Sequence, residues 1–235
     1  MDVVASLYGR NSLLEIVTRT AKDIFIPLTV GGGLRSTDDI KAILRAGADK
    51  VALNTAAIRE PELVRSASRQ FGSSTIVVSI EAIRQPNGVY EAYTDNGRER
   101  TGIDAVEWAS EAAKLGAGEI LLTSVDREGT GSGFELELLH QVAAVTDVPV
   151  IVCGGAGRVE HALAAAAAGA DALALASILH YQLLDELKLA QLAFHEEGNV
   201  EYLRGGRSFG KVQPTALSKL KAYLVDNGVC CRFPV

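Results

Sequence analysis

Along the 235-residue chain, short runs rich in aliphatic and β-branched residues alternate with longer segments that are apolar on one side. The runs Ile26–Val30, Lys50–Leu53, Thr75–Ile80, Glu119–Thr123, Val148–Val152 and Ala172–Leu175 read as strands. The amphipathic or alanine-rich segments Leu13–Ala21, Thr37–Ala46, Pro61–Phe71, Ala105–Leu115, Glu135–Thr146 and Val159–Ala168 read as helices. Such alternation predicts a parallel sheet with helices packed outside it. Several strands are continuously apolar, as expected of parallel strands covered on both faces. Two stretches break the rhythm. Gly88–Thr94 and Arg98–Gly102 flank Asn96-Gly97, a favoured tight-turn pair, and predict an inserted hairpin. Leu183–Lys211 is a polar helix-then-loop stretch containing "RGGRSFGK", an insertion within what otherwise reads as one domain over residues 1–235.

The chain also repeats itself. "IPLTVGGGLRSTDDIKAILRAGADKVALNT" from Ile26 aligns without a gap on "VPVIVCGGAGRVEHALAAAAAGADALALAS" from Val148, 122 residues later, with 11 of 30 positions identical. The correspondence runs from strand through loop and helix to the next strand, so it predicts two duplicated half-barrels making a (βα)8 TIM barrel. By that count the first strand, the first helix and most of the second strand are lacking, leaving a stump at Asp2–Ala5 and a chain roughly 50 residues short of the usual length. Open sheet edges are a liability, so the expectation is a truncated chain or a partner that completes the barrel.

Composition narrows the function. A net charge of −6 offers no basic surface to nucleic acid or to an anionic membrane, though small anionic substrates remain open. No apolar run is long enough to span a bilayer. Cys153, Cys230 and Cys231 form neither a disulfide framework nor a zinc pattern, which fits a reducing cytoplasm. His140, His161, His180 and His195 show no metal spacing, and His140 and His161 read as surface residues of helices. No metal or cofactor is expected. Trp108 reads as helix packing.

In barrels of this class the chemistry sits on the loops that follow the strands. Gly31-Gly32-Gly33 follows one strand, and Cys153-Gly154-Gly155-Ala156-Gly157 follows its repeat mate. Glycines there let backbone N–H groups approach an anion beside a helix start. Either loop alone is equally well a tight turn. The next strands end in Asn54-Thr55 and in Ala176-Ser177 at matching positions, so the four loops predict two similar phosphate cradles and a ligand with a phosphate at each end. "TSVDREGTGSG" from Thr123 reads first as a solvated turn, and its place beside the second glycine loop points to ligand contact through Gly129 N–H and Thr123. Lys50 and Glu119 begin their strands at the opposite face, where a structural ion pair is the simpler reading and a gate to a partner's channel the sharper one. Glu81 ends an apolar run, and a carboxylate at the tip of a core strand is costly unless paired, solvated or used.

The strings "IPLTVGGGLRS", "GADKVALNTAA", "GAGEILLTSVDREGTGSG" and "CGGAG", in that order, resemble the cyclase subunit of imidazole glycerol phosphate synthase. The resemblance runs from Asp2 to about His180 and resumes near "LKAYLVDNGVCCRF". It implies a lyase of histidine biosynthesis. That enzyme uses ammonia from a glutaminase docked at the N-terminal face to convert a phosphoribulosyl aminoimidazole carboxamide nucleotide to imidazole glycerol phosphate and a purine precursor. It further implies that Gly33, Asn54 and Thr55 hold one phosphate, and Gly129, Gly155, Ala156, Ala176 and Ser177 the other. Lys50 and Glu119 would belong to an ammonia gate, and Glu81 would stand where the family has an acid–base aspartate. Glu81 and the inserted stretch leave two alternatives: a paralogue that introduces nitrogen into a nucleotide sugar, and an inactive phosphate-binding subunit.

Overall fold

The computed structural model describes Met1, residues 13–186, with side chains through residue 183, and residues 211–232. In chain order, α1 (Leu13–Asp23), β1 (Thr29–Gly31), α2 (Thr37–Arg45), β2 (Lys50–Leu53), α3 (Thr55–Arg59) and α4 (Glu62–Phe71) lead to the long β3 (Ile76–Arg84). The hairpin β4 (Tyr90–Thr94) and β5 (Glu99–Asp104) comes next, then α5 (Ala105–Leu115), β6 (Glu119–Ser124), α6 (Leu136–Ala143), β7 (Val150–Cys153), α7 (Val159–Ala167), β8 (Ala172–Ala174) and α8 (Ser177–Glu186). A last helix, α9 (Leu217–Asp226), packs on α7. The expected stump at Asp2–Ala5, and all but the ends of the stretch 183–211, lie outside the described residues.

The six main strands pair in parallel in the order β1-β2-β3-β6-β7-β8, with connecting helices between them, which is the α/β arrangement of a TIM-type barrel. The duplication is written into the register. Thr29 pairs with Lys50 and Ile151 with Ala172, each position shifted by the repeat distance seen in the sequence. Asp49 accepts the Leu28 N–H at 2.8 Å, and its mate Asp171 accepts the Val150 N–H at 2.8 Å. These carboxylates explain why β1 and β7 start later than the apolar pattern suggests. Pro27 and Pro149 have no N–H to give a ladder, and the next donors that could begin one are taken by the aspartates.

As expected of apolar parallel strands, β2 and β3 are buried on both faces at their centres, and the two faces differ toward the strand ends. Val51, Leu53, Ile76, Val78, Ile80, Ile120, Leu122, Val150 and Val152 point toward the helices and form the packed core. The other face carries Ala52, Val77 and Ser79, which are buried, and Lys50, Glu81, Glu119, Leu121, Thr123, Ile151 and Cys153, which are half-buried. Alternation within apolar strands therefore separates a dry convex face from a mixed concave one.

Two local expectations are corrected. β3 does not end at Glu81 but runs on to Arg84, because residues 81–84 pair antiparallel with β4 while 81 and 82 also pair with β6. The hairpin is closed not by a two-residue Asn-Gly turn but by the four residues Asp95–Arg98, since Thr94 pairs with Glu99. Asp95, Asn96 and Gly97 all take positive φ (52°, 61° and 73°), and the Arg98 N–H donates to the Thr94 carbonyl. Bonds from this loop to β3 and α3, described next, hold it open.

Candidate active site

The strand ends carry two cavities at the same rim of the sheet. Around the first, of about 250 Å³, lie Gly33 after β1, Asn54 and Thr55 at the start of α3, Arg59 one turn on, and Glu81 of β3. Gly129, Gly155, Ala156, Ala176 and Ser177 surround the second, together with Glu128 and Cys153. The residues expected to form two cradles are thus gathered into two separate sets, at positions related by the repeat. Gly32 and Gly33 (φ 110° and 71°) match Gly154 and Gly155 (φ 94° and 101°), so both loops need a backbone that other residues rarely adopt. A side chain on Gly155 would lie 2.2 Å from the Gly133 carbonyl oxygen, so the loop after β6 presses directly on the loop after β7.

Between the cavities runs a row set by register: Glu81, Thr123, Cys153 and Ala174, side by side on β3, β6, β7 and β8. The Glu81 carboxylate accepts the Gly97 N–H at 2.9 Å. Its pKa is pushed up, first by burial, against the pull of the Gly97 N–H, and then by the nearby negative charge of Asp95; the Asn54 amide works the other way. A carboxyl in that condition can hold a proton closer to neutrality than an ordinary glutamate, as an acid–base group requires. Asn54 donates to the Tyr93 carbonyl at 3.3 Å, and its buried Oδ1 has no hydrogen-bond partner, an acceptor left open at the cavity wall. Cys153 lies 3.9 Å from Glu128, and burial followed by that carboxylate pushes its thiol pKa up, so it stays protonated and donates.

At the opposite end, Lys50 and Glu119 form a half-buried ion pair across β3. Level with Glu119 on β3 is Val77, four residues from Glu81, so roughly 13 Å of concave face separates the pair from the carboxylate.

Three residues have contacts that sequence did not assign. Asp95 is buried, accepts from Thr55 Oγ1 at 3.4 Å and pairs with Arg59 at 3.2 Å. Asp126, in the acidic loop, accepts the Arg84 N–H at 2.9 Å and so fixes the end of β3. His161, expected on the surface, is half-buried, and its Nδ1 accepts the Gly157 N–H at 3.1 Å. Burial, then the charge of Arg158, lowers the pKa of this imidazole and keeps it an acceptor that steadies the second glycine loop. A histidine four residues past a glycine loop and opening a helix is the signal that could have found it. His140 is exposed, as expected, and Trp108 is buried in α5.

A barrel-type α/β protein, with its candidate site on the loops after the strands and a part-buried glutamate in the wall of one of two glycine-lined cavities, is the class that this geometry defines. Residues 1–185 match the family described as "Histidine biosynthesis protein", and the chain belongs to that family. It is 59% identical to the imidazole glycerol phosphate synthase subunit HisF of Legionella pneumophila over 161 residues, which are 68% of this chain and 76% of that one. It is 51% identical to HisF of Beutenbergia cavernae over 197 residues, 81% of this chain and 77% of that one. HisF of Thermobifida fusca is 52% identical over 186 residues, with 77% and 73% covered.

Proposed function

We propose that this chain is the cyclase of an imidazole glycerol phosphate synthase, acting in histidine biosynthesis as a carbon–nitrogen lyase. The observation that carries the mechanism is the placement of two glycine-lined cavities at one rim of the sheet, with Glu81 in the wall of the first and a row through Thr123 and Cys153 leading to the second. A phosphoribulosyl aminoimidazole carboxamide nucleotide has a phosphate at each end, and a cradle at each end would hold its middle over Glu81. Backbone N–H groups of Gly33 and Thr55, with Arg59, bind one phosphate. Those of Gly129, Gly155, Ala156 and Ser177, with the strand end at Ala176, bind the other. Fixing both ends sets the reacting carbons against a single carboxyl, the kind of positioning that is worth several orders of magnitude in rate. Glu81 then gives and takes protons as ammonia adds and the carbon–nitrogen bond breaks.

Ammonia comes from a glutaminase partner at the N-terminal face and passes the Lys50–Glu119 pair. Support for a partner there comes from the segment before β1, where Phe25 and Ile26 are 95% and 70% exposed, an apolar stretch beside the strand starts. A cytoplasmic location fits free thiols at Cys153, Cys230 and Cys231. These relatives carry the synthase name, and neither the nucleotide-sugar reading nor the inactive-subunit reading gains support from them.

The test is turnover of the nucleotide with free ammonia by the wild type and by Glu81→Gln. Expected is product with the wild type, and for the variant a loss on the order of 10²-fold or more with the bisphosphate still bound. Unchanged turnover in the variant would remove Glu81 from the mechanism, and no product from the wild type would remove the cyclase reading.

A further inference from the structure

Asp95 is a buried carboxylate beside the first cavity that the reaction scheme leaves without a task. It sits in the loop at the tip of the β4–β5 hairpin, next to Asn96, which lines the first cavity. On one side its carboxylate meets the Thr55 hydroxyl and the Arg59 guanidinium, and its own N–H donates to Thr55 Oγ1 at 3.2 Å. On the other side, two residues along, the Gly97 N–H holds Glu81. Asp95 and Asn96 keep left-handed backbone angles that favour glycine. Aspartate and asparagine tolerate this region in turns, and contacts with Thr55, Arg59 and Glu81 fix the loop in place.

We propose that Asp95 is a positioning residue that couples occupancy of the Thr55–Arg59 end of the cavity to the proton on Glu81. With the cavity empty, Arg59 and the Thr55 hydroxyl offset the charge of Asp95. A phosphate entering the cavity draws on the same guanidinium, which lines it and is 69% exposed and free to swing. Asp95 then loses its countercharge, and its field falls more fully on Glu81. A like charge that is less compensated favours the protonated carboxyl. Substrate binding at one end thereby arms the acid in the middle. The groups facing Glu81 from the packed elements are Asn54 after β2, Tyr93 opposite it on β4, Thr123 beside it on β6, and the Asp95-Asn96-Gly97 loop. Arg35, Arg59 and Glu60 line the same cavity, and Asp95 is the carboxylate in the loop whose Gly97 N–H holds Glu81.

The coupling rests on the phosphate reading of this cavity, so the test does not use turnover. The Glu81 side-chain carboxyl carbon, identified by its absence in Glu81→Gln, is titrated by NMR in the full chain with and without inorganic phosphate. Phosphate binding is read from the Gly33 and Thr55 amide signals of the same samples. In the wild type, phosphate is expected to move the Glu81 midpoint upward. In Asp95→Asn, which keeps the shape and the contact with Thr55, the midpoint should fall and the phosphate response shrink. In Arg59→Gln, a change to a largely exposed side chain, the midpoint should already be raised without phosphate. A Glu81 midpoint unmoved in both variants overturns the proposal, and Arg59→Gln decides alone if Asp95→Asn does not fold. If phosphate leaves Gly33 and Thr55 unmoved, the coupling falls with the phosphate reading. Missing ammonia-dependent turnover would count against the cyclase reading alone.

Discussion

The burial that would suit Glu81 to acid–base work also costs stability. Its carboxyl is held above the usual carboxylate range, chiefly by burial. At low pH both the folded and the unfolded chain keep it protonated, and its burial carries little penalty. As pH rises, the unfolded chain ionises first, and folded stability is lost through the raised folded-state value. Glu81→Gln removes the ionisable group. Its melting temperature should match the wild type below about pH 4 and exceed it near about pH 8, where the wild type carries a buried charge. Thermal scans at the two pH values check this, and equal melting temperatures at both would show that Glu81 is hydrated or paired in solution. Sequence revealed Glu81 because a charge interrupted an apolar run. It did not reveal Asp95, since an aspartate before Asn-Gly is ordinary turn chemistry, and only tertiary contact with Thr55 and Arg59 gives it another role. His161 was missed for the same reason: its partner is a backbone N–H, which no side-chain pattern reports.

At the scale of elements, the hairpin is the piece grafted onto the repeat, and an ion pair joins its two strands while the Asp95–Arg59 pair ties its loop to α3. Glu91 of β4 is buried; it accepts from Arg100 at 2.7 Å and from the Gly102 N–H at 2.9 Å. The Arg100 bond, outweighing burial, holds its carboxyl below the usual range. Stability from this group is present above the unfolded carboxylate value and is lost as pH falls through the lowered folded one. Glu91→Gln should cost about 1.5–3 kcal/mol, the worth of hydrogen bonds to a charged group. Faster hydrogen exchange at Thr101 and Gly102 should accompany it, and because the loop of this hairpin touches Glu81, turnover should fall as well. In the second cradle, Gly155→Ala should cost about 1–3 kcal/mol by overpacking against Gly133 and weaken bisphosphate binding. Unchanged binding would mean that the two loops part easily. The main strands and most helices were legible because two periods alternate cleanly and a gapless repeat fixed their correspondence. Less legible were α3, only five residues long, and α9, whose N-cap position is Ala216 with no capping side chain.

For the molecule as a whole, the concave face ties an ion pair at one rim to a carboxylate at the other. Lys50 and Glu119 are 29% and 20% exposed, so their attraction is partly screened by water, and a pair in that setting contributes no more than about 1 kcal/mol to folding. Its position at the strand starts, beneath Glu81, is a better reason for these residues than stability. If ammonia enters there from a docked glutaminase, Lys50→Ala should leave melting within about 1 kcal/mol of the wild type. Turnover on added ammonia should be kept, because that reaction draws on bulk solvent at the open rim. Glutamine-supported turnover in the assembled pair should fall. Measuring both turnovers on the same sample separates the two roles: equal losses would mark the pair as structural support for β2 and β6, whereas a loss confined to the glutamine-supported reaction would place it on the path.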